Sequence, residues 1–600
     1  MKFKKIKNPT IFPIDFTKPW WQLIAYQKGT CFCILAMTAI YQVFTTITPF
    51  LAALIFESHG MYMCFVIFGI WFILDILQKL ARQQNPKFQL QCIYSIYQAA
   101  HLHLLSVDPQ YHVHRSSGAI LGKIDRGARG CEDLLDQITD DFTPLIFSLI
   151  TVIIMVVYYS YTIAAIMALF IISIISIGYY FTTRISASFE KDFLKSDDAC
   201  KTTAVENLAQ IQLIRSTFAA DFRSQRLKNN VLSNVYTEGA LWLSYSATFH
   251  FLALLHLASL FILAVFLVWQ VNHSLATTAS AIGLFLSYMQ GTKMLVVTMK
   301  LFRKTMRSLA AIHDLFAFIP AFGKQQIPVF GDSQPQVVKT DPITISAENI
   351  HFDYGGAVLY NNHSFAMTAA QEQPNKLYGI IGPSGVGKTT FLSILGGQLK
   401  PISGSVVIDN IDIYQTSDAV RRQLIALQGQ VATNVKGTVK DNLLLGLPEG
   451  LPEEPIYSDD ELLAILDAVG LFAVLSTYKG LQTKIGEGGL NLSGGQRQRL
   501  NFAALYLRAT YYKPSVLLID EPTSSLDEIS EVKITEMMSQ LARSAITLVI
   551  AHRLKTVEGA AGLIDLSELA DTHQIKAYSA QELLRRSAYY RSLIEGSVVL

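Results

Sequence analysis

The first three hundred residues alternate between long uncharged runs and long polar ones. Gly29 to Phe56 contains no Asp, Glu, Lys or Arg. A membrane-spanning helix needs about 20 mostly apolar residues, so this run is long enough for one span. Glu57-Ser-His-Gly60 is a tight connection, and Met61 to Gln78 is a second span interrupted only by Asp75. A polar stretch of helical composition runs from Lys79 to Asp141. Phe142 to Thr183 again lacks every charged residue and histidine. As one helix it would be roughly 60 Å long, about twice the hydrocarbon thickness. It therefore reads as two spans that turn at Tyr158-Tyr-Ser-Tyr161. A second polar stretch covers Arg184 to Glu238. Gly239 to Thr292 has no Asp, Glu, Lys or Arg and divides near Gln270-Val-Asn-His-Ser274 into spans five and six. Spans two to five are expected to continue as long helices past the bilayer.

The connections at 57–60, 158–161 and 270–277 carry no Lys or Arg, whereas the tail Met1-Lys-Phe-Lys-Lys-Ile-Lys7 and both long polar stretches are rich in them. The positive-inside rule then predicts both termini and the long stretches in the cytosol. No short apolar core with a cleavage site follows the basic tail, which reads as cytosolic and not as a signal peptide. Lys18-Pro-Trp-Trp21 and Tyr26 suit the headgroup level. Pro320 to Pro342 holds four prolines and reads as a linker over 321–342. From Ile343 to Leu600 the pattern changes to short apolar runs, Gly-rich turns and ordinary charge, as in a soluble α/β domain. The expected fold is an all-α six-helix transmembrane domain over 1–320 followed by a cytosolic α/β P-loop NTPase domain over 343–600.

Composition agrees. The chain is 51% hydrophobic and 16% charged, with a mean hydropathy of +0.32, and soluble domains carry about a quarter charged residues. A net charge of +2 gives no sign of nucleic-acid binding. The six cysteines, at 31, 33, 64, 92, 131 and 200, show no metal-ligand spacing and imply no disulfide framework.

The chemistry centres on Gly382-Pro-Ser-Gly-Val-Gly-Lys-Thr-Thr390, a G-x-x-x-x-G-K-T phosphate loop. The apolar run Leu377 to Ile381 before it reads as a strand, and Phe391 to Leu395 after it as a helix start. Gly382, Gly385 and Gly387 let the backbone turn its N–H groups around phosphate oxygens, Pro383, Ser384 and Val386 complete the loop between them, and the helix N-terminus adds partial positive charge. Lys388 reaches the β- and γ-phosphates, Thr389 is a Mg²⁺ ligand, and Thr390 closes the loop. Val516-Leu-Leu-Ile-Asp-Glu521 is a buried strand ending in two carboxylates. Asp520 is placed to hold Mg²⁺ and Glu521 to polarise the attacking water. Ser493, Gly494, Gly495 and Gln496 open a helix within Leu492-Ser-Gly-Gly-Gln-Arg-Gln-Arg499, a second phosphate-binding terminus. One nucleotide needs only one phosphate loop, so the second terminus suggests closure on another subunit's ATP.

Leu-Ser-Gly-Gly-Gln, lying between the phosphate loop and the carboxylate strand, resembles the signature of the ATP-binding cassette (ABC) family. That resemblance implies further roles. Tyr354 matches the aromatic that stacks on adenine. Gln430 matches the lid glutamine that senses Mg²⁺ and the membrane domain, and Asp527 in Ser525-Leu-Asp527 the D-loop facing the opposite subunit. His552 matches the switch histidine on the γ-phosphate. Thr483 to Gly489, with Glu487 as its acid, resembles an element that exporters use against coupling helices; 108–118 and 206–218 resemble those helices. Gln428-Gly429 departs from the usual apolar-Ser pair. Asp565 to Tyr578 lacks the usual Asp-Gly hairpin and Gly-x-His pattern, which leaves the last strands open.

The whole chain resembles a type IV exporter-fold half-transporter. The resemblance implies a dimer, as a homodimer by default or with a related chain, that hydrolyses ATP to move a small amphipathic or hydrophobic substrate through the lipid bilayer of a cytoplasmic membrane. Lipids and drugs are candidates. Gly127-Ala-Arg-Gly130 resembles the glutathione-conjugate exporters of the family, which makes such conjugates an alternative. An ATP-gated channel or regulatory membrane protein on the same fold is the rival reading, and intact Glu521 favours turnover. A subunit that only energises a separate transporter fits poorly with six fused spans, and the chain shows no N-terminal peptidase domain of a peptide exporter. Asp75, His250, His256 and Lys293 are ionisable candidates for a substrate path. Tyr41, Gln42, Thr45, Thr46, Tyr288 and Gln290 either line a cavity or join helices.

Overall fold

The computed structural model describes residues 11–58, 61–107, 117–293, 295, 298–319, 337, 339–354, 358–448, 455–486, 491–524, 526–551, 557–567, 569 and 573–596. Backbone contacts divide the chain into two units near residue 321. His552, Ser525, Glu487, the stretch 108–116 and most of the linker fall outside the described residues.

The first unit is helical. Among the described residues, five stretches are long and apolar enough to cross a membrane: Lys28–Ile55, Tyr62–Leu105, Ile120–Tyr159, Tyr161–Arg184 and Ala220–Asn272. The turn between the third and fourth falls at Ser160, which is extended between helices Thr143–Tyr159 and Tyr161–Tyr180. The expected sixth span is a shorter helix than the rest, Thr278–Thr292, of 15 residues. Thr277 caps its start by accepting from the Ser280 N–H, and Lys293 ends it. Helix is described again over Thr298–Phe318.

The polar extensions are helical as expected. Helix Ser117–Asp136 runs into the third span through a π-helical turn, Gln137–Phe142, and the fourth span runs into Ser186–Ala209 through a second one, Phe181–Ile185. Both π turns sit at the edges of the uncharged run 142–183. The fifth span and its extension form one helix of 53 residues. Within the apolar belt the helices meet through Val152, Met167, Leu263, Leu284 and Tyr288. Outside it they approach through small residues. A Cβ on Gly127 would meet Leu315 Cδ2 at 2.5 Å, and one on Gly130 would meet the Ser308 carbonyl at 3.0 Å. These two glycines let helix 117–136 lie against helix 298–318.

Among the described residues the second unit holds thirteen strands: β1 (Ile343–Asp353), β2 (Val358–Ala369), β3 (Leu377–Ile381), β4 (Ser403–Ile408), β5 (Ile411–Asp412), β6 (Ile425–Gln428), β7 (Gly437–Thr438), β8 (Lys484–Ile485), β9 (Val516–Asp520), β10 (Ile546–Ile550), β11 (Gly562–Asp565), β12 (Gln574–Ile575) and β13 (Ala577–Tyr578). One sheet has the order β12-β2-β1-β4-β5, a second β13-β11-β3-β10-β9-β6, and β7 pairs with β8. In the second sheet β3, β6, β9, β10 and β11 are parallel. One of its faces packs through Ile380, Leu518 and Ile550 into a core with the first sheet. Its other face packs through Leu377, Leu517 and Val549 against the helical layer. Burial on both faces is why β3, β9 and β10 read as unbroken apolar runs. The last strands form despite the unusual sequence: β13 runs antiparallel to β11, and β12 runs parallel to β2.

Candidate active site

The phosphate loop follows the C-terminal end of β3. Gly382, Gly385 and Gly387 have φ of 149°, 84° and 107°, conformations that glycine adopts at no steric cost. Tyr360 fixes the loop from below, donating from its hydroxyl to the Gly387 carbonyl at 2.9 Å. A Cβ on Gly387 would meet Leu359 Cδ2 at 2.9 Å. Burial pushes the Tyr360 phenol well above its ordinary pKa, so it stays a donor. Helix Lys388–Leu395 starts directly after the loop. Lys388 Nζ donates to the Gly382 and Pro383 carbonyls, at 2.7 and 3.2 Å. Burial holds its ammonium below the usual lysine range, against the opposite pull of Glu521 and Asp520. Thr389 is exposed and Thr390 buried. Ser384 and Gly385 are exposed at the loop's crest, and Val386 is half-buried.

Strand β9 ends in Asp520, only 3% exposed. Glu521 follows with φ 48°, a left-handed conformation that costs a non-glycine residue roughly 1–2 kcal/mol. Its N–H donates to the Ile550 carbonyl at 3.0 Å. Sheet register brings in Gln430: Gln428 in β6 stands opposite Ile519 in β9, so Gln430, two residues on, comes level with Glu521. Gln430 Nε2 donates to Glu521 Oε1 at 3.0 Å. Residues 91 apart in sequence thus meet because two strands are neighbours.

The remaining expected residues divide. Tyr354 is 51% exposed, with its ring edge-on to Phe352 and its hydroxyl 2.7 Å from Thr390 Oγ1. A half-open ring above the loop suits base stacking. Ser493 caps helix Gly494–Tyr512 in a reciprocal box with Gln496: the Gln496 N–H donates to Ser493 Oγ at 3.2 Å, and the Ser493 N–H to Gln496 Oε1 at 2.8 Å. Gly494 is exposed with open space around it. Asp527 caps helix Glu528–Leu541 by accepting from the Ser530 N–H, and the Ser530 hydroxyl together with that N–H holds its carboxyl below the ordinary range. The structure brings Lys388, Asp520, Glu521 and Gln430 together at one end of one sheet. His552 lies outside the described residues.

These groups fit a nucleotide with Mg²⁺. Three left-handed glycines open the loop, an ammonium stands beside two carboxylates, and Thr389, Asp520 and Gln430 offer hard oxygen donors of the kind Mg²⁺ takes.

In the helical unit the ionisable candidates separate. Asp75 is paired with Lys79 one turn on, at 2.6 Å. His250 rests a ring nitrogen on its own turn's Ser246 carbonyl at 2.6 Å. His256 is half-buried, and its Nδ1 has no partner. Lys293 and Gln290 are exposed. Thr46 and Tyr288 are fully buried between helices. Tyr288 donates to Ser259 Oγ at 3.2 Å, and Thr45 and Thr46 donate to the Gln42 carbonyl at 2.9 and 2.8 Å. These residues join or cap helices. One cation escaped the sequence reading. The Arg303 guanidinium lies 5.0 Å from the Trp242 ring and 4.7 Å from the Tyr245 ring. No carboxylate among the described residues pairs with it. In the sequence it is one of several basic residues that follow the last uncharged run, after Lys293 and Lys300.

A family model described as ABC transporter matches residues 368–524, and one described as ABC transporter transmembrane region matches 93–294. The chain is 33% identical over 291 residues to a putative export ATP-binding/permease protein of Rickettsia felis, covering 48% of this chain and 46% of that one. It is 28% identical over 512 residues to heavy metal tolerance factor 1 of Caenorhabditis elegans, covering 83% and 59%. It is 29% identical over 480 residues to the mitochondrial iron-sulfur clusters transporter ABCB7 of Rattus norvegicus, covering 78% and 60%. The chain thus spans about half to three fifths of the length of the curated relatives it matches. A solved bacterial Atm1-family ABC exporter with ATP bound superposes with a TM-score of 0.80 at 19% identity, over 96% of this chain and all of that one. The two family models, which together match more than half of the chain, and this shared fold place it: the chain belongs to the ABC transporter family, with the helical region and the ATPase region of an exporter-fold half-transporter.

Proposed function

We propose that the protein is an ATP-driven exporter that works as a pair of chains. The observation that carries this reading is the Gln430–Glu521 hydrogen bond at the end of β9, beside the phosphate loop. Glu521 accepts a proton from the attacking water, and Gln430 holds its carboxylate in place. Lys388 leaves its own loop carbonyls for the phosphates. Thr389, Asp520 and Gln430 would hold Mg²⁺, which neutralises phosphate charge when bound. His552 acts as the γ-phosphate contact. Tyr354 stacks on adenine. Ser493 to Gln496 and Asp527 serve the partner chain's nucleotide, so two chains complete two sites. Basic long stretches and uncharged short connections support a cytosolic ATPase region and cytosolic termini in a cell's inner membrane.

The substrate is a small amphipathic molecule. Arg303, held by two aromatic rings with no paired carboxylate among the described residues, supports an anionic one. The names of two relatives concern iron-sulfur clusters and heavy metals, so metal- or sulfur-bearing thiol conjugates head the list of classes, ahead of lipids and neutral drugs. The test is ATPase activity in lipid nanodiscs, wild type beside Glu521→Gln, across glutathione conjugates, lipids and drugs. Severalfold stimulation by one class in wild type and none in the variant supports the reading. Equal activity in both proteins sinks it. Activity only after a second half-transporter is added replaces the homodimer with a heterodimer.

A further inference from the structure

We propose that Gln498 is a positioning residue for Glu521: its amide holds the backbone of the base in the conformation that presents the carboxylate. This inference rests on the reading of Glu521 as the base. Gln498 lies in the first turns of helix Gly494–Tyr512, five residues past the cap Ser493, and is 4% exposed. Its Nε2 donates to the Glu521 main-chain carbonyl. The same nitrogen lies 3.3 Å from Ser524 Oγ, which itself lies 3.4 Å from that carbonyl oxygen.

Glu521 needs such support. Its φ of 48° is one that side-chain-bearing residues rarely adopt, and such conformations persist only where the surroundings over-determine them. Here two different elements grip the peptide. Strand β10 takes the N–H through the Ile550 carbonyl, and the helix opened by Ser493 takes the C=O through Gln498. With both backbone groups pinned, the origin of the side chain is fixed, and Gln430 meets the carboxylate at its far end. A small shift of that helix moves the Glu521 carbonyl, and the carboxylate follows. The helix expected to meet the partner's phosphates therefore also sets the base of its own chain.

The experiment uses the full-length protein in nanodiscs. It measures ATPase rate against ATP concentration, binding of a fluorescent ATP analogue, and the thermal midpoint. Gln498→Met keeps most of the volume and removes the amide. A misplaced catalytic group costs on the order of a hundredfold, so kcat should fall about 10- to 100-fold with KM and analogue affinity within about twofold. Gln498→Asn, which keeps an amide on a shorter arm, should fall between. In the Glu521→Gln background Gln498→Met should change the residual rate by less than about twofold, because the group it positions is gone. A purely structural Gln498 would cost the same factor in both backgrounds, and that result overturns the inference. So does a wild-type kcat in Gln498→Met. If Gln498→Met does not fold, Gln498→Asn decides: a lowered kcat at an unchanged midpoint supports the inference, and a wild-type kcat overturns it. Should Glu521→Gln itself keep wild-type turnover, the reading of Glu521 falls and this inference with it. A silent Glu521→Gln beside a fully active Gln498→Met sinks the inference alone.

Discussion

Val516 to Ile519 and Phe65 to Leu74 are both runs without a charged residue, yet they live in opposite surroundings. The four residues of the strand are at most 1% exposed. On the helix, Phe65, Phe68, Phe72 and Ile73 are between 53% and 71% exposed. The strand is apolar because protein covers both its faces. The helix is apolar because hydrocarbon covers it in place of protein, and its length matches the bilayer. The difference extends to function. In the ATPase region polar groups sit on backbone turns at strand ends, where neighbouring strands aim them. In the helical region polar side chains are spent mostly on the helices' own carbonyls, as with Thr46, Thr151 and Thr182. A site of the first kind is fixed by sheet order. One of the second kind depends on how helices rotate against each other.

The comparison breaks most sharply at Glu521. If chemistry is confined to the strand ends, Glu521→Gln should lower ATP turnover by about 10²–10⁴, the usual share of a general base. The thermal midpoint and binding of an ATP analogue should not change. A variant that loses ATP binding along with turnover would mean that the carboxylate holds the loop and not the water.

The next largest effect belongs to the helical region alone. A Cβ on Gly291 would lie 2.2 Å from Val152 Cγ2, and the Gly291 carbonyl accepts from Ser148 Oγ at 2.9 Å. Gly291→Val should therefore destabilise the helices by about 1–3 kcal/mol, the usual cost of overpacking. Differential scanning in detergent should show a lowered midpoint for the helical transition, with analogue affinity retained. An unchanged midpoint would mean that the two helices separate without loss at this point.

Sequence made the two regions legible to different depths, for the same reason. The phosphate loop, Asp520-Glu521 and Ser493 to Gln496 each carry their chemistry on consecutive residues, so spacing along the chain reports it. The Gln430–Glu521 contact follows from β6 lying beside β9, a pairing no local pattern encodes. Gln498 was visible as a letter in its motif, but its grip on the Glu521 carbonyl depends on the packing of a helix over a sheet. Span lengths and turns were legible because the bilayer fixes them. Helix rotation was not: Thr143–Tyr159 and Tyr161–Tyr180 are apolar nearly all round, so no stripe marks an inner face. The π turns and the Gly127–Leu315 approach were hidden for the same reason, and Asp75, which looked functional as an intramembrane acid, is matched by Lys79.

Acid should reach the ATPase region first through its helix caps. Backbone N–H bonds at helix starts, with the neighbouring hydroxyls, hold the Asp441 and Glu461 carboxyls below the ordinary range, and the Ser530 hydroxyl with its N–H does the same for Asp527. A depressed carboxylate pKa contributes stability that is fully present above the unfolded value, about 4, and is lost as pH falls through the lower folded value. Stability from these caps should thus be flat from pH 8 to about 5 and decline below about 4. Thermal midpoints across that range test it. The variant Thr438→Ala, which removes one partner of the Asp441 box, should lower the plateau by about 0.5–2 kcal/mol.

The smallest effect sits where the two regions' styles meet within one helix pair. Beyond the apolar belt, helix Ser186–Ala209 and the start of helix Ala220–Asn272 are laced by side chains. Ser196 Oγ donates to Asn234 Oδ1 at 2.8 Å, and Asn230 Nδ2 donates to Thr203 Oγ1 at 2.8 Å. Water reaches this seam, since Asn230 and Thr237 are only half-buried. A net intramolecular hydrogen bond contributes only about 0.5–1.5 kcal/mol, and an accessible one lies at the low end. Asn230→Ala should therefore lower stability by about 0.5 kcal/mol. Replacing Asn230 and Thr203 together by Leu and Val should restore or exceed wild-type stability, because apolar partners of similar size need no desolvated amide. If the double variant is instead less stable than Asn230→Ala, the polar lacing is what fixes the register of these two helices.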